Sequence, residues 1–66
     1  MTNPGLKLKL KRKECGLTQQ EVADYLKISR NTLSVYESGK TDIPLTVFIR
    51  ISKLYGCDID EIYGTH

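Results

Sequence analysis

Residues 17–40, LTQQEVADYLKISRNTLSVYESGK, decide the fold of this chain. Thr18 and Glu21 stand three residues apart just ahead of an apolar run. That is the spacing of a capping box, in which the hydroxyl accepts from a first-turn amide while the carboxylate reaches back to the cap's own N–H. Leu17 supplies the apolar residue before the cap, and Val22, Ala23 and Leu26 then share one helical face. Ala23 permits a close helix–helix crossing that a larger side chain would block. Lys27-Ile28 forms a turn, and Ser29 is the next N-cap. The helix that follows, about Arg30 to Glu37, turns Leu33 and Tyr36 inward and sets Arg30, Asn31, Ser34 and Val35 on the opposite strip. Ser38-Gly39-Lys40 ends it.

Working outward, Asn3-Pro4-Gly5 gives residues 1–5 the character of a flexible lead-in. From Leu6 to Cys15 the pattern is double. Leu6, Leu8 and Leu10 alternate with lysines as in a strand, yet leucine and lysine are good helix formers. A helix from about Leu6 to Glu14, stopped by Gly16, is favoured, with a short opening strand as the alternative. Beyond the central unit, Ile43-Pro44 starts a fourth helix with proline near its first turn and Leu45, Phe48, Ile49, Ser52 and Tyr55 inward. Gly56 stops it. Asp58 and Glu61 then cap a short fifth helix carrying Ile59 and Ile62 inward and ending at Gly64. Five helices without repeats or linkers make residues 1–66 one compact all-α domain, with the helix-turn-helix unit over 18–37.

Sixty-six residues lie near the lower limit for a core held without staples or metals, and leave no room for a separate ligand-sensing domain. No apolar stretch approaches the ~20 residues that span a bilayer. The N-terminus has no apolar signal-peptide core, so a cytoplasmic protein is expected. Cys15 and Cys57 are then expected as reduced thiols, Cys57 as a small buried hydrophobe. With His66 as the single histidine, a zinc site lacks ligands, and no other metal or cofactor is expected. Charge is uneven. Residues 1–40 hold eight bases and four acids, while residues 41–66 hold two bases and four acids. A basic first part and an acidic last part suit a molecule that shows one side to phosphates, although charge runs often do no more than keep a surface wet.

Two short helices across a tight turn are the layout of a helix-turn-helix, in which one helix supports and the next enters a DNA groove. The chain resembles the Xre/Cro type found in lambdoid phage repressors, Cro proteins and many small bacterial regulators. The likeness covers about residues 6–64 and is strongest in GLTQQEVADYLKIS, RNTLSVYESGK and IPLTVFIRISKLYGCDIDEIYG. It implies a five-helix lambda-repressor-like domain in which helices 2 and 3 form the helix-turn-helix. It also implies the roles of particular residues. Gln19 resembles the glutamine that clamps a phosphate and braces the recognition helix. Arg30 and Asn31 lie where the family reads base edges, with Ser34 and Val35 one turn on. Thr18, Ser29, Thr32, Ser38 and Lys40 fall at or near positions that touch the DNA backbone. Arg12 and Glu37 match a pair that bridges the first helix to the end of the third. Two positions depart from the pattern: Lys27 stands where the turn usually has glycine, and Lys11 where an apolar residue is common.

The chemistry of these residue types agrees with that assignment. Arginine's planar fork matches O6 and N7 of guanine, and asparagine can match N6 and N7 of adenine. A phosphate contact is the alternative for Arg30, and a solvated helix position for Asn31. Val35 suits a thymine methyl, or else sits half-buried beside Tyr36. Tyr25, Tyr55 and Tyr63 are scattered over separate elements, as packing residues are. The expected function is a sequence-specific transcriptional regulator of bacterial or phage origin, more a repressor than an activator. It would bind a two-fold symmetric double-stranded operator as a homodimer. Tyr55, Ile59, Ile62 and Tyr63 are candidates for the dimer interface or, alternatively, for the monomer core. The competing reading is a protein-interaction or antitoxin-like helix-turn-helix module. An enzyme is not expected, since no nucleophile–base pair, phosphate loop or metal set is visible, and neither a small-molecule ligand nor a membrane partner is indicated.

Overall fold

A computed structural model describes residues 4–58. They form four helices: α1 Pro4–Glu14, α2 Gln19–Leu26, α3 Arg30–Ser38 and α4 Leu45–Tyr55. Both α1 and α2 pack on α3, and α4 packs on α2. The fifth helix expected from Asp58 onward, with Ile59, Ile62 and the neighbouring Tyr63, lies outside the described residues.

Among the described residues no strand precedes α1, and Pro4 and Gly5, expected in the lead-in, already belong to that helix. On a helix the three alternating leucines fan apart. Leu8 is buried with Gly5 and Arg12, whereas Leu6 and Leu10 are exposed. Proline is tolerated in that first turn because its missing N–H would have had no helical partner. Gly5 has a steric reason for its place. A Cβ there would collide with the Tyr36 carbonyl oxygen and come within 2.9 Å of the Gly39 nitrogen, so α1 meets the end of α3 backbone to backbone.

The capping box opens α2 as the spacing requires. Thr18 Oγ1 accepts from the Glu21 N–H at 3.1 Å, and the Glu21 carboxylate accepts from the Thr18 N–H at 2.9 Å. At the other end Lys27 takes the left-handed conformation, with φ 60° and ψ 43°, and its N–H reaches the carbonyls of Ala23 and Asp24. Among the described residues it is the one non-glycine with positive φ. The turn therefore keeps its shape without glycine, and lysine carries the steric strain. Ser29 then caps α3, its Oγ accepting from the Thr32 N–H at 3.0 Å, and Gly39 closes that helix in the left-handed region.

Three inward assignments differ from expectation. On α3 the buried pair is Leu33 and Glu37, with Tyr36 only half-buried, because Arg12 of α1 draws Glu37 into the interior. On α4 the buried set is Phe48, Ile51, Ser52 and Tyr55, while Leu45 is 55% exposed and Ile49 41%. This helix is apolar around most of its circumference, so spacing alone does not say which arc faces the core. Ser52 is accommodated inside because its hydroxyl donates to the Ile49 carbonyl at 2.8 Å. Pro44 sits at the N-cap of α4, just outside its first turn.

The core joins Leu8, Val22, Ala23, Leu26, Leu33, Phe48, Ile51 and Tyr55. Leu17, Ile28, Ile43, Val47, Leu54 and the half-buried Cys57 pack around them. Lys27→Gly would relieve the left-handed strain while adding freedom to the unfolded chain. A net gain of about 0.5–1 kcal/mol is expected in urea denaturation; an unchanged or lower midpoint would show that lysine fits this turn without strain.

Candidate functional site

The site grows from one buried ion pair. Arg12 lies on the inner face of α1 and Glu37 in the last turn of α3, one residue before its end, with their side chains only 9% and 2% exposed. Arg12 grips the carboxylate with its side-on fork, Nε to Oε2 at 2.8 Å and Nη2 to Oε1 at 3.3 Å. Its remaining Nη1 donates to the Leu17 carbonyl at 2.8 Å, in the link between α1 and α2. Charges buried this deeply are tolerated only when paired and hydrogen-bonded, and here the guanidinium is engaged on both sides.

The pair is one end of a longer chain of contacts. Glu37 Oε1 also accepts from Gln19 Nε2 at 3.0 Å, and Gln19 Oε1 accepts from Arg30 Nη1 at 3.3 Å. Arg12, Glu37, Gln19 and Arg30 thus form a line that runs from the interior to the first turn of α3. Arg30 and Asn31 are exposed there; one turn later Val35 is exposed and Ser34 half-buried. At 41% exposure Val35 is open to a partner, beside a Tyr36 that is only half-buried. The four residues make an outward ridge of donors and acceptors with one apolar point.

The flanking residues frame this ridge. Thr18 and Ser29 are exposed but spend their hydroxyls on capping, and Ser29 Oγ also shares a hydrogen bond with Thr32 Oγ1 at 2.8 Å. Ser38 Oγ donates to the Val35 carbonyl at 2.6 Å and accepts from the Lys40 N–H at 3.3 Å, while the Lys40 side chain stays exposed. Spacing did not single out Arg50, whose Nη2 donates to the Tyr25 carbonyl at 3.0 Å while the guanidinium stands 5.6 Å from the Tyr25 ring centre. The acceptor is backbone and the partner lies 25 residues away, so no sequence pattern marks this contact.

Tyr55, a candidate for contact between copies, belongs to the monomer core at 8% exposure. Its hydroxyl is buried with no hydrogen-bond partner among the described residues. Burial, and then the nearby Glu37 carboxylate, push that phenol well above its ordinary range. Among the described residues no cluster of side chains is arranged to hold a metal ion, and no helix is long and apolar enough to cross a membrane.

Residues 8–62 match a family model described as helix-turn-helix. The HTH-type transcriptional regulator ImmR of Bacillus subtilis is 37% identical over 60 residues, which are 91% of this chain and 47% of ImmR. The uncharacterized HTH-type transcriptional regulator MJ0272 of Methanocaldococcus jannaschii is 39% identical over 57 residues, 86% of each chain. The chain therefore spans about half the length of the first relative and most of the second.

Two substitutions probe the interior of the site. Arg12→Ala leaves the Glu37 carboxylate buried and unpaired, and a loss of about 3–5 kcal/mol is expected in thermal or urea unfolding; an unchanged melt would show that the bridge carries no weight. Tyr55→Phe removes a buried hydroxyl that has no hydrogen-bond partner among the described residues, so stability at pH 7 is expected to hold or rise. The raised phenol pKa sets the sign at high pH. Its contribution is complete below about 10, the unfolded value, and is lost as pH climbs beyond. Alkaline destabilisation should consequently shrink in the phenylalanine variant, and an identical alkaline limb in both proteins would contradict this.

Proposed function

The chain belongs to the helix-turn-helix family, and from that premise we propose that it is a transcriptional regulator that binds double-stranded DNA sequence-specifically through α3. The observation that carries this reading is the division of α3. Leu33 and Glu37 are buried on one side, while Arg30, Asn31 and Val35 stand exposed on the other. In a major groove, Arg30 and Asn31 supply direct readout of base edges, Ser34 adds a hydroxyl, and Val35 meets a thymine methyl. Thr18, Gln19, Ser29, Thr32, Ser38 and Lys40 lie around that ridge as backbone contacts, which set register and affinity but carry no sequence information.

A homodimer on a two-fold symmetric operator follows from the small surface that one such domain can bury on DNA. Exposed Leu45 and Ile49 on α4 support an apolar contact between copies, together with Ile59, Ile62 and Tyr63 of the neighbouring segment; the buried Tyr55 is not part of it. Repression is the simpler outcome, since occupying a promoter needs nothing beyond the docked ridge. The place of action is the cytoplasm, where a bacterial or phage operator lies. The same Leu45 and Ile49 favour the second reading, a module whose main partner is another protein.

Selection of duplexes from a random pool at fixed salt, with the mass of the complex measured, tests both readings. An enriched site with two half-sites ~34–36 Å apart is expected, bound by two chains and weakened steeply by salt through counterion release. Asn31→Ala should relax preference at one base position by about 1–3 kcal/mol and leave the others intact. No enrichment, or flat salt dependence, would overturn the DNA reading in favour of the protein partner; one chain on a single half-site would overturn the dimer alone.

A further inference from the structure

Glu37 lies deep in the fold, yet two hydrogen bonds connect it to the exposed ridge. We propose that Glu37 is a positioning residue for base recognition: through the Gln19 amide it sets the direction in which Arg30 offers its guanidinium. The proposal rests on the reading of Arg30 as a base contact.

An ionised carboxylate accepts hydrogen bonds and donates none. The Gln19 side chain can therefore satisfy Glu37 only by turning its N–H₂ group inward, as the 3.0 Å contact shows. Its carbonyl oxygen then faces outward, where Arg30 Nη1 donates to it at 3.3 Å. A neutral amide at position 37 would not enforce that order, because it offers both an acceptor and a donor. Gln19 could then turn over and present N–H to Arg30, setting donor against donor and releasing the guanidinium.

The orientation matters for what Arg30 has left to offer. With Nη1 held by Gln19, the free edge is the pair Nε and Nη2, two parallel donors suited to O6 and N7 of guanine. Arg12 shows the same use of the group inside the fold, with Nε and Nη2 on the Glu37 carboxylate and Nη1 on a backbone carbonyl. A tethered guanidinium also loses less side-chain freedom when it engages a base. Glu37 touches no nucleotide in this scheme and acts through Gln19.

The test compares wild type, Glu37→Gln, Gln19→Ala and the double variant on duplexes that differ only at the base pair whose preference Arg30→Ala abolishes. Glu37→Gln and Gln19→Ala are each expected to lose about fivefold or more of that preference. Preference at the base pair read by Asn31 should be unchanged. The double variant should lose no more than Gln19→Ala alone, which a general loosening of the fold would not produce. Without DNA, nitrogen relaxation of the Gln19 side-chain amide should show an ordered group in wild type and a mobile one in Glu37→Gln. Equal weakening on every duplex with the preference intact, additive losses in the double variant, or an unchanged Gln19 amide would each overturn the proposal. Should Glu37→Gln fail to fold, an intact preference in Gln19→Ala overturns it alone. A wild-type chain that enriches no duplex overturns the DNA reading, a separate failure because the relaxation measurement still reports whether Glu37 holds Gln19.

Discussion

The buried contact between Arg12 and Glu37 is the constraint on which the rest of the architecture depends. It joins α1 to α3, and the same guanidinium reaches the Leu17 carbonyl at the entry to α2. Three consecutive elements are thus tied to one point. A pair of this kind is weak evidence for extra stability, because taking two charges out of water costs much of what their attraction returns. Its effect is on geometry. A fork of two parallel hydrogen bonds tolerates little rotation, so the end of α3 has one permitted register against α1.

Local rules do the remaining work at the helix ends. Thr18 with Glu21, and Ser29 with the Thr32 amide, fix where α2 and α3 begin. Left-handed residues at 27, 39 and 56 fix where helices stop. Between the last residue of α2 and the Ser29 cap of α3 lie only Lys27 and Ile28, so the angle between supporting and outward-facing helices follows from a few backbone torsions. Apolar packing of Val22, Ala23 and Leu26 against Leu33 then holds that angle.

The parts legible in the sequence are those governed by short-range chemistry. The Thr18–Glu21 capping box, the Ser29 cap and the exposure of Arg30, Asn31 and Val35 on α3 follow from residue types three or four apart, and all stand where spacing puts them. The Arg12–Glu37 pair spans 25 residues and was accessible through family resemblance rather than through any local signal. What spacing did not resolve depends on neighbours far along the chain. Leu6, Leu8 and Leu10 carry two periods at once, and only packing against α3 selects the helix. On α4, apolar residues cover more than half of the circumference, so Ile51 and Ile49 exchange places relative to a reading by period. On α3, Glu37 rather than Tyr36 takes the interior position because a buried arginine awaits it. The line from Glu37 through Gln19 to Arg30 carries no local signal either, since its middle member sits on a different helix; resemblance implies only that Gln19 braces the recognition helix.

Gly5 carries one more consequence. With no side chain between Gly5 and the Tyr36 carbonyl, nothing at that point can repack to absorb a tilt of one helix against the other. Whatever docks on the outer face of α3 meets two helices moving as a single body. The entropic cost of association then falls on a few side chains rather than on backbone, as it does for a rigid key already cut to its lock.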